Sequence, residues 1–307
     1  MTGYLISPLA EQTALAPLIS WRICLTDGSP CDSFSVRFCY DRAWLPVLQQ
    51  AVRFRAEEGG KTVFFGVVDD FEITLGKNGL LCEVTGRSMA ALLMDNQVRA
   101  TEFVTAQLAD ILKNYVTPYG VTAVRADAMR PLSQFVVETG DTCWQVLCGF
   151  CRHSADIFPR FSADGTLLLT KSSAAKEIVL SQPIVSCSYA QTRYGVLCRQ
   201  VVLSQGTAST AENAAFRALG GNCTHYCNKT GKKLRATWRD GAQRIADSRA
   251  DFRVIRVALV GGFLAQPKDR VRLNVPLVGI LGSFTVRSAQ TQADENGVLC
   301  TLTLEGA

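Results

Sequence analysis

The sequence predicts a mainly β protein with a small α/β unit inserted into it. Three observations carry this expectation: period-2 alternation through the first ninety residues, a change to period 3.6 from Ser88, and a return of alternation beyond Lys171. Val52, Phe54 and Ala56 alternate with Arg53 and Arg55, so one face is apolar and the other charged. Glu57-Glu58-Gly59-Gly60 then offers a turn, and Thr62-Val63-Phe64-Phe65 resumes as the second strand of a hairpin. In a second hairpin, Phe71, Ile73 and Leu75 alternate with Glu72 and Thr74, Asn78-Gly79 tolerates positive φ, and Leu80 to Thr85 runs back.

In the middle third, Leu108, Ile111, Leu112 and Tyr115 stand at i, i+3, i+4 and i+7, the stripe of an amphipathic helix. Thr105 is its expected cap, and Pro118 and Gly120 lie just beyond its end. Short strands are expected around Val121 to Val124 and at Phe135 to Val137. Asp141 is then the expected cap of a helix burying Trp144, Leu147, Cys148 and Cys151. Ile157 to Phe161 and Leu167 to Thr170 flank the hairpin turn Asp164-Gly165.

Strands return at Ile178 to Leu180, Ile184 to Tyr189 and Val196 to Leu203, and the small polar residues from Ser204 to Asn213 read as a loop. After the basic segment Lys229 to Arg239, a helix from about Gly241 to Ala250 leads into Val254 to Leu259. Val271, Leu273 and Val275 then alternate with Arg272 and Asn274. The end of the chain echoes its first third. Gly66, an alternating strand, Asn78-Gly79-Leu80-Leu81-Cys82 and Gly86 find counterparts in Gly282, another alternating strand, Asn296-Gly297-Val298-Leu299-Cys300 and Gly306. The two Gly-to-Asn spacings differ by an even number, which keeps inward and outward faces in phase. Either one hairpin is repeated, or two unrelated hairpins share a common turn dipeptide.

Composition narrows the function. With 48% hydrophobic and 19% charged residues in 307, the chain is a folded protein of about two domains, and a disordered tail is excluded. The net charge of +5, from 32 basic and 27 acidic residues, is too small to imply a specific nucleic-acid partner. The N-terminus lacks a basic n-region and no run of 18 apolar residues occurs, so synthesis and folding in a cytoplasm without a membrane anchor are expected. In that setting the twelve cysteines are expected to be reduced and mostly core filler, as with Cys82 and Cys300 on the apolar sides of strands.

Catalytic constellations are missing. The chain has only His153 and His225, no Gly-x-Ser-x-Gly elbow, no phosphate-cradling Gly-x-x-x-x-Gly-Lys and no His-Glu-x-x-His. Asp69 and Asp70 are adjacent on a strand and point to opposite faces, which suits polarity at a surface rather than shared acid–base work. Cys143, Cys148, Cys151 and His153 crowd one helix, where Cys148 and Cys151 complete an apolar stripe with Trp144 and Leu147. Cys223, His225 and Cys227 are the sharper metal candidates, because alternate residues of an extended segment face one way. No fourth ligand is recognisable, so the expectation is a partly exposed loop, no bound metal, no cofactor and no catalytic residue. Lys229, Lys232, Lys233, Arg235 and Arg239, with Trp238 among them, read as a solvated segment or a face toward an acidic partner.

Several segments taken in order resemble a known family. Phe65-Gly66-Val67-Val68-Asp69-Asp70, Gly86-Arg87-Ser88 running into Leu92-Leu93-Met94-Asp95, and the helix Leu108 to Tyr115 ending in Tyr119-Gly120 are similar to the baseplate hub proteins of contractile phage tails, the Mu-like tail and late-control group. So are Thr139-Gly140-Asp141-Thr142 opening a helix, Phe158 to Phe161 with Asp164-Gly165-Thr166-Leu167, and the closing Val271 to Pro276 through Gly282 and Leu302 to Gly306. The resemblance implies a first β-barrel over residues 1–96, an inserted α/β domain over 97–171, and a second, similar barrel with a helical and loop excursion over 172–307. It further implies a homotrimer whose six barrels form a pseudo-sixfold ring between a sixfold tail tube and a threefold central spike. Tube, spike, other baseplate proteins and the tape measure are the implied partners. The implied location is the baseplate of a virion or tail-like particle assembled in a bacterial host. A distal or adhesion-linked protein of a non-contractile tail is the alternative, and an end at Ala307 without a fibre region favours the contractile hub. A metal- or thiol-dependent enzyme would require one of the cysteine clusters to be a site.

Overall fold

Alternation becomes strand almost throughout the first ninety residues of the computed structural model, which describes residues 1–27, 31–77, 79–171, 177–204, 207–228, 241–249 and 252–305. The strands are β1 (Thr2–Ile6), β2 (Gln12–Ala14), β3 (Leu18–Thr26), β4 (Ser33–Cys39), β5 (Arg53–Glu58), β6 (Lys61–Gly76) and β7 (Gly79–Ser88). One short helix, α1 (Trp44–Gln50), which alternation gave no reason to expect, buries Leu48 between β4 and β5. The expected hairpins are β5–β6, turning at Gly59 and Gly60 with positive φ, and β6–β7. The sheet rolls: Phe34 on β4 stacks on Phe54 of β5 at 4.0 Å between ring centroids, although β7 and β6 lie between those strands. Phe38, Phe64, Cys82 and Val84 fill the space inside the roll.

A short helix, α2 (Ala90–Met94), leads into the insert, which comprises β8 (Thr101–Ala106), α3 (Leu108–Tyr115), β9 (Val124–Ala126), β10 (Leu132–Val137), α4 (Cys143–Ala155), β11 (Arg160–Phe161) and β12 (Leu167–Leu169). Both expected caps move by one or two residues. Thr105 is used in β8, opposite Ser133, and Gln107 caps α3 in a capping box with Asp110. Asp141 turns back to accept the Glu138 N–H, which leaves Thr142 to cap α4 reciprocally with Gln145. The strand expected around Val121 to Val124 runs instead from Val124, where it pairs in parallel with β12. Ile111, Leu147, Phe150, Cys151, Leu167 and Leu169 form a separate core. Gly165, in the β11–β12 turn at φ +82, lets the insert close on β6, since a Cβ there would stand 2.5 Å from the Phe65 ring.

The last third contains β13 (Glu177–Val179), β14 (Ile184–Gln191), β15 (Arg199–Ser204), β16 (Thr207–Glu212), α5 (Ala214–Ala218), β17 (Thr224–Asn228), α6 (Gly241–Ser248), β18 (Arg253–Val260), β19 (Arg270–Val275), β20 (Ile280–Asp294) and β21 (Gly297–Glu305). The segment expected as a loop, Ser204 to Asn213, contains β16, which pairs with β15 beside β17 in a small sheet of its own. Its small polar residues resemble a loop by composition, but the ladder to β15 supplies their backbone partners. The remaining strands surround a third core of Val257, Leu259, Val271, Val286, Cys300 and Leu302.

Among the described residues the two halves do not separate into the two closed barrels that the resemblance implies. One 13-stranded sheet runs β14-β18-β21-β20-β3-β4-β7-β6-β5-β1-β2, with β19 also on β20 and β13 on β19. The units are joined through β20: its first half pairs with β19, and the outer edge of its second half pairs with β3 of the other unit. Among the described residues no helix is long and apolar enough to cross a membrane.

Candidate assembly interface

Five strands of the first unit recur in the last third with the same neighbours. The order β3-β4-β7-β6-β5 is matched by β14-β18-β21-β20-β19. On β3 and β4, Trp21 lies opposite Val36 and Ile23 opposite Phe34, with a bulge between Leu18 and Ser20. On β14 and β18, Cys187 lies opposite Val257 and Tyr189 opposite Ile255, with a bulge between Ile184 and Ser186. One strand further in, Phe38 and Val36 face Cys82 and Val84, as Leu259 and Val257 face Cys300 and Leu302. A bulge sits between Val68 and Asp70 of β6, and another between Val286 and Ser288 of β20. The extra residues, Asp69 and Arg287, each precede the turn glycine, Gly79 or Gly297, by ten positions. Bulges fix register and local twist, so agreement of both bulges makes the two units equivalent strand by strand.

At the second bulge the chemistry is preserved with its signs exchanged. Asp69 accepts Arg87 at 2.6 Å, and at the matching positions Arg287 approaches Glu305 at 4.0 Å. Arg87 also reaches Asp95 at 2.7 Å, past the end of α2, so one guanidinium ties the hairpin to the segment that leads into the insert and holds the Asp95 carboxyl below its usual range. The glycine echo in the sequence is two residues out of this register. Counting from the bulges, Gly66 and Gly86 match Phe284 and Leu304, while Asn78 and Gly306 lie outside the described residues. Gly66 and Gly86 answer a local need, since a Cβ would stand 2.1 Å from the Arg87 carbonyl oxygen or 2.0 Å from that of Val67.

The units meet where β3 pairs with β20, from Thr26 opposite Ser288 to Trp21 opposite Ala293. Trp21 stacks on Phe263 with centroids 5.6 Å apart, and the Phe263 N–H donates to Thr291 Oγ1 at 3.3 Å. Asp27 donates its N–H to the Arg287 carbonyl at 2.8 Å and pairs with Lys268. Just beside the seam, Asp32 accepts the Thr26 N–H at 2.7 Å and donates its own N–H to Ser88 Oγ at 3.2 Å. Burial pushes the Asp32 carboxyl up to about 6, partly opposed by the Thr26 hydrogen bond.

The residues singled out for chemistry are dispersed. Cys143, Cys148 and Cys151 lie in the insert core, and burial pushes the Cys151 thiol up to about 12 and the Cys148 thiol higher still, so both act as apolar groups at neutral pH. His153 offers its carbonyl to Arg130 at 3.0 Å. Cys223 precedes β17, which carries His225 and Cys227 and runs parallel to β15; Cys223 and His225 line a cleft with Tyr194 and Phe216. Among the described residues no group of three or more His, Cys, Asp or Glu side chains is placed to hold a metal ion. The basic segment Lys229 to Arg239 lies outside the described residues. Asp69 and Asp70 are separated by the bulge, with Asp69 engaged by Arg87 and Asp70 opposite Thr85. The seam itself was missed in the sequence, where the available signal was the alternation in Trp21, Ile23 and Leu25.

Comparison with protein-family models matches residues 90–171 to the second domain of the gp44-like baseplate hub protein. No curated protein matches the sequence. The fold is similar to that of the 43 kDa tail protein of prophage MuSo2 from Shewanella oneidensis, with a TM-score of 0.78 and 15% identity over 99% of this chain and 97% of that one. The tail protein from Neisseria meningitidis MC58 gives a TM-score of 0.75 and 16% identity, with coverage of 99% and 96%. A more distant likeness, with a TM-score of 0.58 and 8% identity over 94% of this chain and 73% of that one, is to the E. coli c3393 protein. That protein is described as a type VI secretion component structurally similar to the T4 tail proteins gp27 and gp5. At these identities the likeness is one of fold.

Proposed function

We propose that this chain is the structural hub of a contractile tail baseplate, assembled as a homotrimer between a sixfold tail tube and a threefold central spike. The observation that carries the reading is the repeat itself: two units of one strand order, one register and matching bulges stand in a single chain. A tube of six identical subunits ends in six equivalent surfaces, whereas a spike of three chains offers three. Three copies of a chain with two equivalent units provide six similar faces, and the unlike insert provides three. The family match on residues 90–171 and the likeness to prophage tail proteins support this reading. We divide the chain accordingly into a hub unit over 1–96, an insert over 97–171 that addresses the spike, and a second hub unit over 172–307. The activity is mechanical, with no catalytic residue, and the location is the baseplate of the tail particle.

Native mass spectrometry of the purified chain and cryo-electron microscopy of the particle test the reading. Three copies in a ring with a central opening are expected. A dimer or hexamer in the particle, or placement away from the tube end, overturns it.

A further inference from the structure

Among the described residues the internal seam is used once, and the two matching edges, β14 and the second half of β6, are left open. The matched registers make β14 the counterpart of β3, and residues 70–75 of β6 the counterpart of residues 288–293 of β20. Those two edges are paired inside the chain at the seam, yet their counterparts are not: among the described residues β14 pairs only with β18, and Asp70 to Leu75 only with β7. Exposure follows. Ile23, in the seam, is 1% exposed, whereas Tyr189 at the matching position of β14 is 43% exposed, and Leu75 is 77% exposed. Ile184 and Val185 add further apolar surface to the same open strand. An uncovered row of backbone N–H and C=O groups with apolar side chains is a template for another strand.

We propose that β14 of one copy pairs antiparallel with residues 70–75 of β6 in the next copy, in the register of the internal seam. Thr26 opposite Ser288 becomes Thr192 opposite Asp70. In the same way Gln191 lies opposite Phe71, Tyr189 opposite Ile73, and Cys187 opposite Leu75. The occupant is a second copy of this chain because the chain already contains that contact, between two units that share its register. Each copy has one edge of each kind, so the contact is head to tail and repeats around a ring until no such edge is left. The proposal rests on the homotrimer reading and adds to it which strands meet and in what register.

A single substitution tests it, because the chain already carries one of the two thiols. Residues directly opposite in an antiparallel pair have Cα atoms about 4.5–5.5 Å apart, within disulfide reach. Leu75→Cys in the full-length chain, oxidised gently and run on a non-reducing gel, is expected to link to Cys187 of the next copy and give a ladder ending at the covalent trimer. Adding Cys187→Ser is expected to return the ladder to the wild-type background, and Thr74→Cys, pointing to the other face, to stay at that background. If Leu75→Cys fails to fold, the pair Ile73→Cys with Tyr189→Cys tests the same register. Trimers by light scattering without either cross-link overturn this interface and leave the trimeric hub standing. Monomers under all conditions overturn both, and a cross-link from either edge to a different protein in the particle overturns the choice of occupant.

Discussion

Asp32 shows how a single residue can tune the strength of the region beside the seam. Its carboxyl is held by the Thr26 N–H and pushed up to about 6 by burial, so the folded chain binds its proton more tightly than the unfolded chain does, where an aspartate titrates near about 3.9. For an acid whose folded pKa is raised, the folded state is favoured below the unfolded value, and that advantage is lost as pH rises to about 6. Asp32→Asn keeps an oxygen for the Thr26 N–H and removes the charge. It is expected to gain up to about 3 kcal/mol over wild type at pH 7–8, shrinking to nothing near pH 4, as measured by urea unfolding across that range. A gain that does not change with pH would show that the charge is not its source. None of this was legible in the sequence, since Asp32 stands among Ser, Cys and Phe and becomes half-buried only when β4, β3 and the end of β7 converge.

Legibility was better for the elements, and it failed for definite reasons. The stripe of α3, both early hairpins and the burial of Cys82 and Cys300 follow directly from alternation and period, because each depends on neighbours close in sequence. The caps slipped because Thr105 and Asp141 found other partners, and β16 was hidden by residues that pair well but look like a loop. The repeat was visible in register at its turn, where Gly79 and Cys82 match Gly297 and Cys300, but the flanking glycines Gly66 and Gly86 are two residues out of step with Gly282 and Gly306, because each answers a local contact and does not mark a shared position. The first hairpin consequently has a constraint that the second lacks. At Gly86, a Cβ would meet both the Val67 carbonyl oxygen and the Phe34 ring, at 2.0 and 2.6 Å, whereas Leu304 fills the matching place in the second hairpin. Gly86→Ala must therefore push β6 or β4 outward, and a loss of at least about 2 kcal/mol is expected by urea denaturation. Leu304→Ala tests the contrast: it opens a cavity in a fully buried site without any clash, so its loss of about 2–5 kcal/mol should come with unchanged backbone amide shifts around β20. Equal disturbance of the backbone by both variants would count against a close strand approach peculiar to the first hairpin.

At the scale of the whole molecule, the two units share one sheet, so the stability of each depends on groups supplied by the other. Thr291 is the clearest such group. It is 2% exposed on β20, its hydroxyl accepts the Phe263 N–H, and Phe263 in turn stacks on Trp21 of the first unit. Thr291→Val keeps the shape and removes the acceptor, which leaves a donor inside the seam without its partner at a cost of about 1–3 kcal/mol. Because Phe263 sits at φ +52, a region that non-glycine residues seldom occupy, the loop has little reason to hold its geometry once that bond is gone. The ring should then leave Trp21 at the edge of the first unit's core while the rest of that core stays packed. The expected result is a lower unfolding midpoint together with a change in tryptophan emission at temperatures where the chain is still folded, and loss of that emission change in a Trp21→Phe background. Three-way comparison of wild type, Thr291→Val and Thr291→Val with Trp21→Phe separates the seam from general weakening. If the emission change survives removal of Trp21, the perturbation lies elsewhere and the seam does not couple the two units in this way.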